Sequence, residues 1–458
     1  MAKLSGSLTT YPARAALLWY LGTITVGTAA LFHPLSASDP RAPLSLLDAL
    51  FTATSATCVT GLTVRSTAVE LSRYGQIIVL ILIQLGGIGI LSVTTYLTLR
   101  LGSSASLRQQ VLVTETLGSD RKSDLLWVLH GVFLFTVTFE LAGFLILAAY
   151  NPWRTTMADR LWQALFHSIS AFCNAGFALA DDSLGRFQGD LIVNFTIMTL
   201  IVVGGIGFPV VLDLWRHRRL PRGDRWSRLS VHTKVMLLGT IALLTLGTVS
   251  FLALEWHNAL AGMSPGRRVL VASFQSVTAR TAGFQTIDLT HLTDATLVVL
   301  VMLMMIGAGP CSTGGGFKVS TFMALVLSSW SSFRGRTRVS LFRRTLPQES
   351  IDRAVATALL FGTLGAVALT MLLAFEATGH PEPGGHGRLL DTLFEVISAL
   401  GTVGLSTNTT TTLDPSGRII IIILMFLGRL GPISVFLALS RTTREAHTEY
   451  PEEDLLIG

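Results

Sequence analysis

The chain has 458 residues, of which 50% are hydrophobic and only 14% charged, with 42 glycines, 10 histidines, 3 cysteines and a formal net charge of +6. An ordinary soluble domain carries about 25% charged residues, so several water-facing domains are excluded, as is disorder, which needs low hydrophobicity and high charge. Cys58, Cys173 and Cys311 are too few for a disulfide framework and lack metal-ligand spacing, which leaves a polytopic membrane protein.

Long apolar runs follow in order at 15–32, 76–99, 125–149, 191–214, 235–254, 295–309, 354–375 and 419–439. Most approach or exceed the roughly 20 residues that cross a bilayer core. The first is read as a retained helix, because it is long and no small-x-small cleavage site precedes the first polar loop. The sixth runs into Gly307–Gly316, and the apolar piece Phe317–Trp330 follows. The two pieces are read as one broken span, since irregular backbone at membrane depth is tolerated where it lines a wet cavity. Lys and Arg gather in the alternate connections 100–124, 215–234 and 334–353 and at the termini. Arg216, Arg218, Arg219, Arg222, Arg225 and Arg228 form the densest cluster. The positive-inside rule places these loops and both termini in the cytoplasm of a multi-pass protein of the cell membrane. That topological role accounts for the arginines without a nucleic-acid partner.

The opposite connections each hold a second, shorter apolar segment, at about 44–57, 157–172, 267–279 and 388–400. These are too short to span and suit re-entrant helices. Each runs into a glycine: SATCVTGL (55–62), SAFCNAGF (170–177), TARTAGF (278–284) and SALGTVGLS (398–406). Phe51, Phe166 and Phe394 lie ten residues before their glycine, and Phe274 lies nine before Gly283. Gly61, Gly176, Gly283 and Gly404 therefore mark a fourfold internal repeat. Small residues recur after each turn, in LGGIG (85–89), VGGIGFP (203–209), IGAGP (306–310) and LGRLGP (427–432). They lie inside apolar spans, not between a strand and a helix, so they are not dinucleotide fingerprints. Gly86, Gly87, Gly204 and Gly205 serve either close helix packing or a wider inner pore.

Four re-entrant turns from one chain can converge on an axis, where backbone carbonyls replace the hydration shell of a cation. Glycine permits the unusual backbone angles and close approach this needs. The short helices would aim their negative C-terminal ends at the same axis. The turns contain no carboxylate, which argues against divalent selectivity. TVG (402–404) is close to the TVGYG of potassium-channel filters, and VTG, NAG and TAG occupy the other turns.

On these motifs, nearly the whole chain, from about residue 13 to 440, resembles the Trk/Ktr/HKT superfamily of potassium transporters, and is most similar to the KtrB-type membrane subunit. The resemblance implies an all-α membrane protein of four fused M1–P–M2 repeats, with eight transmembrane helices and four re-entrant pore helices around one central ion pore. The repeats would be 13–100, 124–217, 231–330 and 350–441, with 442–458 a cytoplasmic tail. It implies a selectivity filter of Val59, Thr60, Gly61, Asn174, Ala175, Gly176, Thr281, Ala282, Gly283, Thr402, Val403 and Gly404, with potassium the permeating ion. Some plant members carry serine at the first turn and favour sodium; here all four are glycine. An intramembrane gating loop, 307–318, is implied by GAGPCSTGGGFK, with Gly307, Gly309, Gly314, Gly315, Gly316, Lys318 and Arg429 as gate residues. Cys311 departs from the small residues usual there. The resemblance further implies a homodimer and a cytoplasmic nucleotide-binding ring of the RCK (KtrA-like) type, with the nucleotide bound by that partner, and a possible dependence on sodium. No cofactor is expected in this chain.

Individual residues carry alternatives. Arg429 falls level with Gly87, Gly205 and Ala308. It is either a structural ion pair or helix-end cap, or a barrier that holds the loop through its carbonyls. Lys318 either snorkels or takes part in gating. Arg280 is expected to point behind the filter toward an acid, Glu395 or Asp288. Cys58 and Cys173 are small filler or a redox or metal pair. His130 and Glu140 form packing hydrogen bonds or couple protons. The competing functions are a proton- or sodium-coupled alternating-access carrier, favoured by inverted repeats, and a membrane enzyme. Re-entrant segments on one side make the copies parallel, and no HExxH or comparable cluster occurs.

Overall fold

The computed structural model describes residues 12–101, 125–336, 338–342, 344–375 and 387–431. The expected tail 442–458, most of the basic connection 100–124, and the chain beyond Gly431 in the last run lie outside the described residues. One pattern recurs in chain order: a long helix, a short helix, a turn, a further helix. The first set is α1 (Pro12–Phe32), α2 (Leu46–Thr57) and α3 (Arg73–Leu101). The second is α4 (Leu125–Tyr150), α5 (Met157–Phe172) and α6 (Leu191–Ile206), continued by α7 (Phe208–His217) and α8 (Arg222–Arg228). The third is α9 (Val231–Glu255), α10 (Pro265–Thr278) and α11 (Asp294–Met305), continued by α12 (Val319–Phe333) and a hairpin of β1 (Ser340–Leu341) and β2 (Arg344–Thr345). The fourth is α13 (Gln348–Phe375), α14 (Arg388–Leu400), α15 (Thr409–Thr412) and α16 (Pro415–Leu430).

The short helices begin at local signals. Ser45 Oγ accepts the Asp48 amide at 3.1 Å, and Thr156 Oγ1 accepts that of Asp159 at 3.4 Å. Such caps satisfy amides that a helix start leaves without partners. α10 instead starts on Pro265, whose missing N–H costs nothing there. Each short helix packs on the first helix of its own set and the inner helix of the set before it. α2 lies on α1 and α16, α5 on α4 and α3, α10 on α9 and α6, α14 on α13 and α11. The four sets therefore close into a ring. Phe51, Phe166, Phe274 and Phe394, aligned by spacing alone, are all 0% exposed. Truncating such a side chain costs about 3–5 kcal/mol. The long helices turn Val26, Leu145, Phe195, Leu246 and Leu359 outward, as a lipid-facing surface requires.

Two features differ from the hydropathy pattern. The run 191–214 is not one straight span: it breaks at Gly207, and α6 and α7 meet at 94°. Gly207 has φ +97°, and Pro209 in the first turn of α7 has no N–H to continue the ladder of α6. A Cβ on Gly207 would lie 2.5 Å from the Pro310 carbonyl, so the break is also packed against the loop of the third set. The second difference is length. Among the described residues, three helices are long and apolar enough to cross a membrane, His130–Tyr150, Val231–Glu255 and Gln348–Phe375; the bent pair makes a possible fourth. α11 is too short to cross alone because it stops at Met305 before the glycine-rich stretch, and α12 resumes beyond that stretch at Val319.

Candidate ion-selective site

The four turn glycines meet at the centre of the ring. A Cβ built on Gly61 would lie 2.5 Å from the Ala175 carbonyl, on Gly176 2.8 Å from that of Ala282, and on Gly283 2.6 Å from that of Val403. On Gly404 it would strike the Thr60 carbonyl. Each glycine thus nests against the carbonyl preceding the next glycine, and the fourth returns to the first. Real Cβ atoms do not tolerate such distances, so a side chain here must push backbone aside. The φ angles give a second reason: +96°, +71°, +75° and +91° at Gly61, Gly176, Gly283 and Gly404.

The residue two before each glycine is also left-handed, with φ +55° at Val59, +59° at Asn174, +65° at Thr281 and +49° at Thr402. Four non-glycine residues strained at matched positions are a shared feature of the site, of the kind surrounding structure must enforce. The enforcement is visible. The Thr60, Ala175 and Val403 amides donate to the Ser55, Ser170 and Ser398 carbonyls at 2.8, 2.7 and 2.8 Å, and Ala282 to Thr278 at 3.0 Å. The same hydroxyls brace the turns. Ser55 and Ser398 Oγ accept the Gly61 and Gly404 amides, both at 3.1 Å. Ser170 and Thr278 donate to the Phe177 and Phe284 carbonyls at 2.8 and 2.7 Å. These four residues were missed as site residues, although each opens its motif as Ser-Ala or Thr-Ala.

On one side the ring glycines floor an open cavity of about 350 Å³, lined also by Glu70, Asp181, Gln285 and Ser406. On the other side lies the loop 307–318. Cβ atoms on Gly314 and Gly315 would strike Thr281 and Thr402 Oγ1, and one on Gly316 would lie 2.8 Å from the Gly401 carbonyl. The loop therefore packs directly beneath the third and fourth turns. Its backbone is strapped to both flanks: Gly309 to the Gly205 carbonyl at 2.8 Å, Thr313 to that of Gly204 at 3.1 Å, Gly316 to that of Gly428 at 3.4 Å, and Gly307 back to Phe317 at 2.7 Å. Lys318 Nζ donates to the Gly314 and Gly315 carbonyls at 2.8 and 3.3 Å. Cys311 sits in the loop at φ +51°.

Arg429 is 2% exposed. Its guanidinium donates to the Thr313 carbonyl at 2.5 Å, the Gly86 carbonyl at 2.8 Å and Tyr20 Oη at 3.2 Å. Tyr20 itself donates to the Gly86 carbonyl at 2.9 Å. One cation thus joins α16, α3, α1 and the loop. No ion pair to it occurs among the described residues.

Arg280 corrects an expectation. It points to the loop and donates to the Gly307 carbonyl at 3.3 Å, and its Nε has no hydrogen-bond partner among the described residues. Glu395 is held instead by Ser406 at 2.9 Å and by Thr410, and Asp288 by Thr290 at 2.7 Å. Their own loops satisfy both acids locally, which leaves the arginine to a backbone carbonyl. Cys58 and Cys173 are buried free thiols. Gly86, Gly204 and Gly428 press on the last carbonyls of the short helices, those of Thr57, Phe172 and Leu400, so these glycines serve close packing. His130 is exposed on α4, whereas Glu140 is buried.

A ring of glycine turns without carboxylates, set in a helical protein with apolar spans, points to the class of membrane transporters of cations. The comparisons agree. The profile of the TrkH family, described as cation transport proteins, matches residues 22–448. The chain is similar to the Ktr system potassium uptake protein B of Vibrio alginolyticus, 39% identical over 97% of this chain and 94% of that one. It is likewise similar to the Ktr system potassium uptake protein B of Bacillus subtilis, 35% identical over 98% and 97%. The potassium/sodium uptake protein NtpJ of Enterococcus hirae is 34% identical over 90% of each chain. The crystal structure of the potassium transporter TrkH from Vibrio parahaemolyticus superposes with a TM-score of 0.71 at 19% identity, covering 92% of this chain and 83% of that one. The chain belongs to the TrkH family of cation transport proteins.

Proposed function

We propose that this chain is the pore-forming, channel-like subunit of a Ktr/Trk-type potassium uptake system. The observation that carries the proposal is the closed ring of Gly61, Gly176, Gly283 and Gly404. A positive, negative, positive φ sequence at each turn aims successive carbonyls the same way, and carbonyls so aimed can replace the water around a dehydrated potassium ion. The filter is then residues 59–61, 174–176, 281–283 and 402–404, and the architecture is four fused M1–P–M2 repeats around one pore. The vestibule acids Glu70 and Asp181 raise the local cation concentration.

The gate is the loop 307–318 beneath the filter, held by Arg429 and Lys318. Its opening is governed by a cytoplasmic nucleotide-binding ring of the RCK type, and the membrane unit is a homodimer. The relatives named as Ktr system proteins support a multi-subunit assembly. The basic loops 215–234 and 334–353 and both termini face the cytoplasm. Flux in proteoliposomes tests the proposal. Uptake of rubidium driven by a potassium gradient, without a proton gradient, supports a pore. Uptake that stops when the proton or sodium gradient is removed supports the alternating-access carrier instead.

A further inference from the structure

Glu140 is a buried carboxyl that the pore proposal leaves without a role. Glu140 lies midway along α4 and is 8% exposed. An ionisable group at this depth in a membrane protein is costly, so its partners are informative. Its Oε2 accepts from Gln84 Nε2 of α3 at 2.9 Å. Its Oε1 lies 3.8 Å from Cys173 Sγ, and the same sulfur lies 3.5 Å from Gln84 Oε1. Its backbone carbonyl accepts from Ser168 Oγ of α5 at 2.6 Å. One residue therefore binds three helices through a triangle of carboxyl, amide and thiol.

The third corner of that triangle places it behind the filter. Cys173 ends α5, and the next residue is Asn174, the left-handed residue of the second turn. Cys173 is also pressed from the α3 side, since a Cβ on Gly87 would lie 2.7 Å from its sulfur. A shift of Cys173 moves Asn174 and Ala175, whose carbonyl the first turn contacts through Gly61. The position three before the glycine is cysteine in the first two turns, Arg280 in the third and Gly401 in the fourth. Among the described residues, the carboxyl–amide clamp is seen at the second turn.

We infer that Glu140, with Gln84, is a positioning residue that sets the ion discrimination of the second filter turn by fixing Cys173. The inference rests on the pore proposal. An apolar side chain would fill the same space against α3, yet it would leave Gln84 and the thiol free to rotate.

The test uses the purified full-length chain in proteoliposomes, comparing potassium with sodium flux for Glu140→Leu, Gln84→Leu, Glu140→Gln and Gly176→Ser. We expect Glu140→Leu and Gln84→Leu each to lower the potassium-over-sodium preference several-fold. Glu140→Gln should hold it near that of the parent, because an amide oxygen still accepts from Gln84. Thermal unfolding of each variant checks that the fold is retained, and Gln84→Leu keeps the test open if Glu140→Leu does not fold. Unchanged preference in both leucine variants, with Gly176→Ser shifting it, overturns the inference alone. So does a Glu140→Gln variant as impaired as Glu140→Leu, which would assign the effect to charge. A Gly176→Ser variant with parental preference overturns the pore proposal, and this inference with it.

Discussion

Arg429 Nη1 stands 2.5 Å from the Thr313 carbonyl, joining α16 to the loop beneath the third and fourth turns across 116 residues of sequence. The same guanidinium holds the Gly86 carbonyl, so it couples the loop to the first and fourth sets at once. A hydrogen bond from a charged donor is worth about 1.5–3 kcal/mol. Arg429→Ala should therefore favour the displaced loop by roughly ten-fold or more. Potassium flux should become faster and less responsive to the cytoplasmic partner. Flux and regulation equal to the parent would remove the loop latch from the account.

Gly86 gives an independent check on the same contact. A Cβ there would strike the Thr57 carbonyl at the end of α2, and its own carbonyl is the one Arg429 and Tyr20 use. Overpacking of this kind costs about 1–3 kcal/mol. Gly86→Ala should lower thermal stability in that range, whereas Gly22→Ala, inside α1 with nothing within 4 Å of the new methyl, should raise it by up to about 1 kcal/mol. Thermal unfolding in detergent separates the two.

Ser398 accepts the Gly404 amide in a buried site. Removing the hydroxyl leaves that amide without its partner, at about 1–3 kcal/mol. Ser398→Ala should reduce potassium over sodium preference more than it reduces expression. Ser55→Ala should act alike through Gly61. Ion-competition flux measures both.

Cys311 occupies left-handed backbone at φ +51°. A Cβ there costs about 1–2 kcal/mol, and glycine would remove that strain while adding roughly 0.5–1 kcal/mol of chain entropy. Cys311→Gly should thus leave stability within about 1 kcal/mol of the parent by this balance. Cys311→Val, β-branched at positive φ, should destabilise the loop and raise basal flux. Unfolding and flux of the pair distinguish strain from side-chain chemistry.

The central site was legible because it is made of local backbone requirements repeated four times. A glycine at positive φ after a short apolar helix, with a phenylalanine one helix length earlier, leaves a mark in sequence at every copy. The bracing hydroxyls left a mark as well, in the Ser-Ala and Thr-Ala openings, but their role needs the turn geometry to be seen. The break at Gly207 was hidden because hydropathy runs through it unbroken, although Gly-Phe-Pro carries the signal. Partners of single buried polar groups were the least legible. Arg280 meets a carbonyl 27 residues away rather than an acid, and Glu140 meets Gln84 56 residues away. Such pairings are set by how helices pack, which no local pattern encodes.

The most direct measurement is the ratio of potassium to sodium flux through the purified chain in proteoliposomes, for the parent and for Gly61→Ser. A serine Cβ would lie 2.5 Å from the Ala175 carbonyl at φ +96°, so the ring must distort. The account expects a potassium-selective parent and a variant that admits sodium while still conducting. A variant with parental selectivity, or a parent indifferent to the two ions, would contradict it.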